Sequence, residues 1–299
     1  MKILALYSNR TLSILRRVQA PFSVLTQRGQ NFTFMQIPIF DASLSLSHDI
    51  TILPNWILTQ EENQAMAHAV NQGRLFSYDL SDPDLLQKAE VRETLRMCRL
   101  ITVPNEYLQK EVKIAVHANH VSILPSTLDI PYMMLAHSHP VSQRKIIGCS
   151  GPFDWYLIKD LLTQLKESNP RVIVIGDSNA HKTFGDLCTE VDISMETYPL
   201  YLRQCLLALT PVEMERGYDQ QIVKHEYGLL CKPTIRIEKS VEKRPEFWLA
   251  EIRKVLNDSL YRSRLGQHAY EVAKRQSAFQ LADEYLKVYR RILQHSLTS

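Results

Sequence analysis

Short apolar runs alternate along this chain with longer stretches of helical periodicity. The runs cover residues 2–7, 32–37, 49–53, 74–79, 99–103 and 121–124, and in a second series 145–149, 171–175, 205–210 and 234–237. Each is rich in Ile, Leu and Val, as suits strands buried on both faces of a parallel sheet. Between them, Leu161, Leu162 and Leu165 share one face of a predicted helix, and residues 11–28 read as a helix stopped by Gly29. This βα rhythm predicts a doubly wound α/β architecture. It breaks between Ser126 and Arg144, where Pro131 and Pro140 stand among serines and histidines. That stretch reads as an interdomain linker. The predicted organisation is a first domain at 1–130, a linker at 131–144 and a second domain at 145–278. Three amphipathic helices follow one another at the end of the chain, marked by Trp248 and Ile252, by Leu265 and Val272, and by Leu286 and Tyr289. The last, at 279–299, either covers the second sheet or crosses back to the first domain.

Composition narrows the function. The 299 residues suit one large domain or two ordinary ones, and 45% hydrophobic with 22% charged residues is the balance of a folded chain. A net charge of +3, with no basic–aromatic stripe, gives no reason to expect a nucleic-acid partner. Only nine residues are glycine, about 3% against the usual ~7%. Neither G-x-G-x-x-G nor G-x-x-x-x-G-K-[ST] occurs, and no G-x-S-x-G elbow is present. Dinucleotide oxidoreductases, P-loop enzymes and α/β-hydrolases are therefore unsupported. No apolar run approaches the ~18–20 residues that span a bilayer, and the apolar start reads as a strand followed by Ser8-Asn9-Arg10. A cytoplasmic location is the default expectation. Leu12 to Arg17 mixes apolar and basic side chains, which fits either a peripheral membrane contact or packing on the first sheet. The five cysteines are odd in number and widely spaced, as for free thiols in a reducing compartment. His137 and His139 lack neighbouring ligands and read as solvated linker residues, so no metal is expected.

In open parallel sheets, ligands gather outside the carboxyl ends of the strands. Those ends carry Ser8, Asn9 and Arg10; Asp79, Ser81 and Asp82; Pro125, Ser126, Thr127 and Asp129; Ser150 and Gly151; and Gly176, Asp177 and Ser178. Asp79, Asp82 and Asp84 would meet a cation, the hydroxyls of a polar substrate, or, for Asp82 before Pro83, simply the start of a helix. Asp177 follows a turn that would offer amides to a phosphate or serve only the turn itself. The segment from Pro211 to Tyr227 runs from a strand into a helix beginning near Tyr218, with Glu226 flanked by apolar residues. A carboxylate so placed needs hydrogen bonds. Ribose hydroxyls, Lys224 or a backbone amide would supply them.

Taken together, these segments resemble retaining glycosyltransferases of the GT-B fold, in particular a bacterial and phage-associated subgroup. The likeness is carried in order by Gly73 with Tyr78-Asp79-Leu80-Ser81-Asp82, by Ile101-Thr102-Val103 with Leu108, and by Val121 through Leu124-Pro125 to Asp129. It continues through Lys145–Gly148 with Gly151, Val172–Gly176, and Lys224-His225-Glu226-Tyr227 with Pro233. The resemblance implies two Rossmann-like, doubly wound domains facing a cleft, with C-terminal helices. It implies a hexosyltransferase that moves a sugar from a nucleotide-sugar donor to a saccharide or other hydroxyl acceptor, retaining configuration and using no metal. Asp79, Asp82 and Glu226 would be the catalytic carboxylates, the two aspartates on the acceptor side. Ser150, Gly151, Asp177, Arg216, Tyr218, Lys224 and Glu226 would contact the donor, Glu226 through its ribose and the basic groups through the diphosphate. The chain departs from the subgroup at Cys231, where glycine is usual, and at Val223, where lysine is usual; Ser126 and Thr127 replace an asparagine. Arg10, Arg16, Arg17 and Arg216 are the candidates for the missing positive charge. The alternative is a GT-B-like protein without catalysis, acting as a structural, assembly or binding component.

Overall fold

The computed structural model describes residues 1–118, 120–138, 145–150, 161–165, 171–175, 185, 188–191, 194–211, 220–237 and 245–296. They divide into two compact units. Each is a Rossmann-like parallel sheet flanked by helices.

The first unit holds strands β1 (Lys2–Tyr7), β2 (Asn31–Gln36), β3 (Ile50–Pro54), β4 (Phe76–Asp79), β5 (Leu100–Val103) and β6 (Val121–Ile123). Their order is β2-β1-β3-β4-β5-β6, all parallel. Strand periodicity splits the side chains of β1 between two cores. Leu4 and Leu6 join Met66 and Val91 on one face; Ile3 and Ala5 join Phe22 and Leu25 on the other. The segment after β1 is α1 (Leu12–Ile14), a π turn (Leu15–Gln19) and α2 (Ala20–Gln27). The π turn stands just before Pro21, whose ring and missing N–H do not fit a regular helix interior. Gly29 ends α2 with φ +83°, its N–H on the Thr26 carbonyl and that of Gln30 on the Leu25 carbonyl. That paired closure needs the left-handed residue glycine supplies. The stretch from Leu12 to Arg17 is turned inward: Ile14, Leu15 and Arg17 are buried. Helices α3 (Gln60–Asn71), α4 (Ala89–Met97) and α5 (Glu106–Val116) complete the βα units.

The second unit holds β7 (Ile146–Ser150), β8 (Arg171–Ile175), β9 (Cys188–Val191), β10 (Leu207–Pro211) and β11 (Thr234–Ile237), parallel in the order β11-β10-β7-β8-β9. The strands expected from sequence lie within about two residues of these bounds, but β9 was not among them. Its residues, Cys188-Thr189-Glu190-Val191, show no apolar run because β9 is an edge strand. The stretch read as an aperiodic linker contains α6 (Ile130–Met134) and a 3₁₀ turn at Leu135–Ser138, with Met133 and Ala136 buried. Pro131 sits in the first turn, where a proline starts a helix rather than breaking it. Helices α7 (Tyr198–Gln204), α8 (Gln220–Leu229), α9 (Pro245–Asn257) and α10 (Ser259–Lys274) follow. Leu161, Leu162 and Leu165 lie in this core with Leu249 and Ile252. Glycine lets α8 and α10 approach: a Cβ on Gly228 would lie 2.7 Å from the Ala269 carbonyl oxygen, and one on Gly266 would collide with the Cys231 carbonyl.

The last helix, α11 (Ala278–Ser296), belongs to the first unit. The Ala278 N–H donates to the Leu128 carbonyl at 2.9 Å, and the Tyr285 hydroxyl to the Pro125 carbonyl at 2.7 Å. Phe22 of α2 meets Tyr285 and Tyr289 edge to face, with centroids 6.0 and 5.4 Å apart.

Candidate functional site

Strand order locates the crevices. It reverses between β1 and β3 in the first sheet and between β7 and β10 in the second. Such switch points, at the carboxyl ends of the strands, are where open α/β sheets take ligands.

At the first switch point a depression of about 560 Å³ is lined by Ser8, Ile39, Asn55, Trp56, Ile57 and Glu61, among others. Asn55 follows β3 with φ +47°, a conformation asparagine tolerates better than most residues. Its amide brackets Ser81: Nδ2 donates to Oγ at 2.6 Å, and Oδ1 accepts the Ser81 N–H at 2.9 Å. The Ser81 hydroxyl is also bonded to that of Ser13. Glu62 closes a capping box on Thr59 and accepts the Phe40 N–H at 2.7 Å, so its carboxylate serves the start of α3. Glu61 beside it is exposed on the same rim. Asn55 was missing from the sequence-derived residues, because the end of β3 matters only once the strand order is known.

Neither expected acceptor-side aspartate lines this depression. Asp79 is 2% exposed at the end of β4. Arg17, itself 1% exposed, grips it with two prongs: Nε donates to Oδ2 at 2.9 Å and Nη2 to Oδ1 at 2.6 Å. The Thr102 hydroxyl adds a bond of 2.6 Å to Oδ1. Arg17 also donates to the Leu124 carbonyl, joining the π turn, β4, β5 and the end of β6. Tyr289 of α11 is buried nearby; burial first, then the Asp79 charge, holds its phenol above the ordinary tyrosine range. Arg17, one candidate for a missing phosphate-binding charge, is thus committed to Asp79. Asp82 caps the 3₁₀ turn Pro83–Gln87, its carboxylate accepting the Asp84 N–H at 3.0 Å. Arg10 is exposed and donates to Gln19 at 2.9 Å.

In the second unit, Glu226 lies in α8, the helix that follows β10, and is 3% exposed. The Tyr198 hydroxyl, at the start of α7, donates to its Oε2 at 2.6 Å. A buried carboxylate is costly unless charge-assisted bonds of this kind hold it. Tyr198 was missed in sequence, since nothing local links residues 28 positions apart. Lys224 stands two residues before Glu226, partly buried on the same helix. Ser150 ends β7, at the switch point. Gly151, Asp177, Arg216 and Tyr218 lie outside the described residues. Among the described residues, no cluster of three or more His, Cys, Asp or Glu side chains suits a metal ion, and no helix is long and apolar enough to cross a membrane.

By sequence, no family profile and no curated protein matches this chain. By structure, the likeness runs end to end. AviGT4, a glycosyltransferase involved in avilamycin A biosynthesis, aligns over 99% of both chains with a TM-score of 0.62 at 12% identity. The UDP-GlcNAc 2-epimerase of Methanocaldococcus jannaschii aligns over 97% of this chain and 100% of its own, with a TM-score of 0.54 at 9% identity. The Neisseria meningitidis enzyme of the same name, bound to UDP-GlcNAc, has the same coverage with a TM-score of 0.53 at 11% identity. Identities this low establish likeness of architecture rather than of chemistry. Two Rossmann-like sheets in one chain, aligned end to end with such proteins, give this divergent sequence the GT-B fold that glycosyltransferases and UDP-GlcNAc 2-epimerases share.

Proposed function

We propose that the chain is a retaining, metal-independent glycosyltransferase that takes a nucleotide-activated sugar and glycosylates a saccharide or other hydroxyl acceptor. The observation that carries this reading is Glu226. It is a carboxylate buried in the helix after β10, oriented by Tyr198, in the position where the resembling family binds the donor ribose. Glu226 takes the ribose hydroxyls. Lys224 and Arg216 are the basic groups for the diphosphate and stabilise the charge that develops on it as the glycosidic bond breaks. Ser150 and Gly151, at the β7 end, with Asp177 and Tyr218 complete the donor side. The depression at Ser8 and Asn55 takes the acceptor, and Asp79 and Asp82, at the end of β4 and the start of the turn that follows, are the carboxylates of that side.

Incubation with UDP-, GDP- and ADP-sugars tests the proposal. A donor that is hydrolysed or transferred, with turnover surviving EDTA and lost in Glu226→Gln, is the expected result. No hydrolysis, transfer or thermal shift with any donor ends it. The commitment of Arg17 to Asp79 favours a second reading, a GT-B-like binding or assembly component without catalysis. On that reading Glu226→Gln leaves biological function intact, while surface substitutions destroy it.

A further inference from the structure

We propose that the amino-terminal end of the first sheet holds a separate site for a phosphate-bearing anion. A cavity of about 700 Å³ opens there, among the last turns of α3, α4 and α5 and the first residues of β4 and β5. Its volume falls in the usual range for small-molecule sites. Arg74, Arg96, Arg99, His117 and His120 line it, and no aspartate or glutamate does. None of the three guanidinium groups takes part in an ion pair among the described residues. Arg96 and Arg99 are exposed. Arg74 is anchored by one bond, from Nη1 to the Leu46 carbonyl at 3.2 Å, and its Nε is buried with no acceptor.

The opposing effect is the negative end of each helix, about half a charge that fades within a turn. Two of those ends are already closed. Gly73 and Arg74 donate their N–H groups to the carbonyls of Val70 and Ala69, and Cys98 donates to Leu95. Three whole positive charges outweigh what remains. Arginine forks match phosphate oxygens in pairs, a geometry that chloride does not fill, and a phosphate brings more oxygens and more charge than a single carboxylate to share among three arginines. The cavity touches Phe76 at the start of β4, whereas Asp79 ends the same strand. The site is therefore distinct from the acceptor depression, and its success or failure is independent of the transfer reading. The shared chemistry is a phosphomonoester or diphosphate, carried by a free small molecule or by a lipid headgroup.

Calorimetric titration of the full chain with pyrophosphate, at low and high salt, tests this. Arg96→Gln/Arg99→Gln is expected to weaken salt-sensitive binding by at least about tenfold. Both side chains are exposed, so the circular dichroism of the variant should match the parent. Lys224→Gln, altered on the proposed donor side, should keep the binding. If Lys224→Gln removes all pyrophosphate binding while the arginine variant binds as the parent does, the site does not exist. Co-sedimentation with phosphatidic acid vesicles, against phosphatidylcholine vesicles, separates the sources. Arginine-dependent binding to the acidic vesicles without free pyrophosphate binding assigns a lipid headgroup, and arginine-dependent pyrophosphate binding assigns a soluble ligand. The absence of both forms of binding overturns the proposal.

Discussion

Cys231 occupies a backbone conformation, φ +55°, that a side chain enters at a cost. Its carbonyl is pressed against Gly266. Cys231→Gly should therefore stabilise the chain by about 1 kcal/mol, whereas Gly266→Ala should destabilise it by about 1–3 kcal/mol through overpacking. Urea denaturation of the two variants checks both signs. Cys231 is also the exposed thiol among the five. Burial pushes the Cys205 thiol up to about 12 and holds Cys149 well above the ordinary thiol range. A thiol reagent applied to the native chain should mark Cys231 first, as read by peptide mass spectrometry; early labelling of Cys149 or Cys205 would contradict the packing. The buried Arg17–Asp79 pair behaves differently. Removing one partner strands a charge, and Arg17→Met or Asp79→Asn should cost about 3–5 kcal/mol. The sequence pointed to Asp79 as a strand-end carboxylate but could not show that a residue 62 positions earlier had claimed it.

Two helices meet at one hydroxyl in the second unit, where Tyr198 starts α7 and Glu226 lies within α8. If Tyr198 orients Glu226 for ribose, Tyr198→Phe should raise the donor KM about tenfold, the effect of losing one bond to a charged group, with little change in kcat. An equal fall in kcat and kcat/KM would show that the hydroxyl acts elsewhere. Most elements were legible beforehand because interior parallel strands read as unbroken apolar runs. Val172-Ile173-Val174 at the heart of β8 is such a run. The exceptions have physical causes. β9 lies at an edge and needs no apolar run; α6 carries in its first turn the very proline that reads as a breaker. Strand order was invisible in the sequence, and with it the significance of Asn55, because order depends on which crossovers pack together rather than on any local signal.

At the scale of the molecule, the first unit is discontinuous. Among the described residues, the chain leaves it after Asp129 and returns at Ser277, paired in parallel with Leu128. Ala282, Tyr285, Leu286 and Tyr289 of α11 then fill one face of the first core. A chain stopped at Gln276 should expose Phe22 and Leu25, bind a hydrophobic dye, and lose the cooperative unfolding of its first sheet. An unchanged unfolding curve would show that α11 is dispensable. The arrangement also bears on biosynthesis. On the ribosome, residues 1–129 emerge long before their covering helix, so the aromatic side of the nascent sheet stays bare until the whole intervening unit has been translated. Early folding must tolerate that interval, and a holdase chaperone would find its binding surface there.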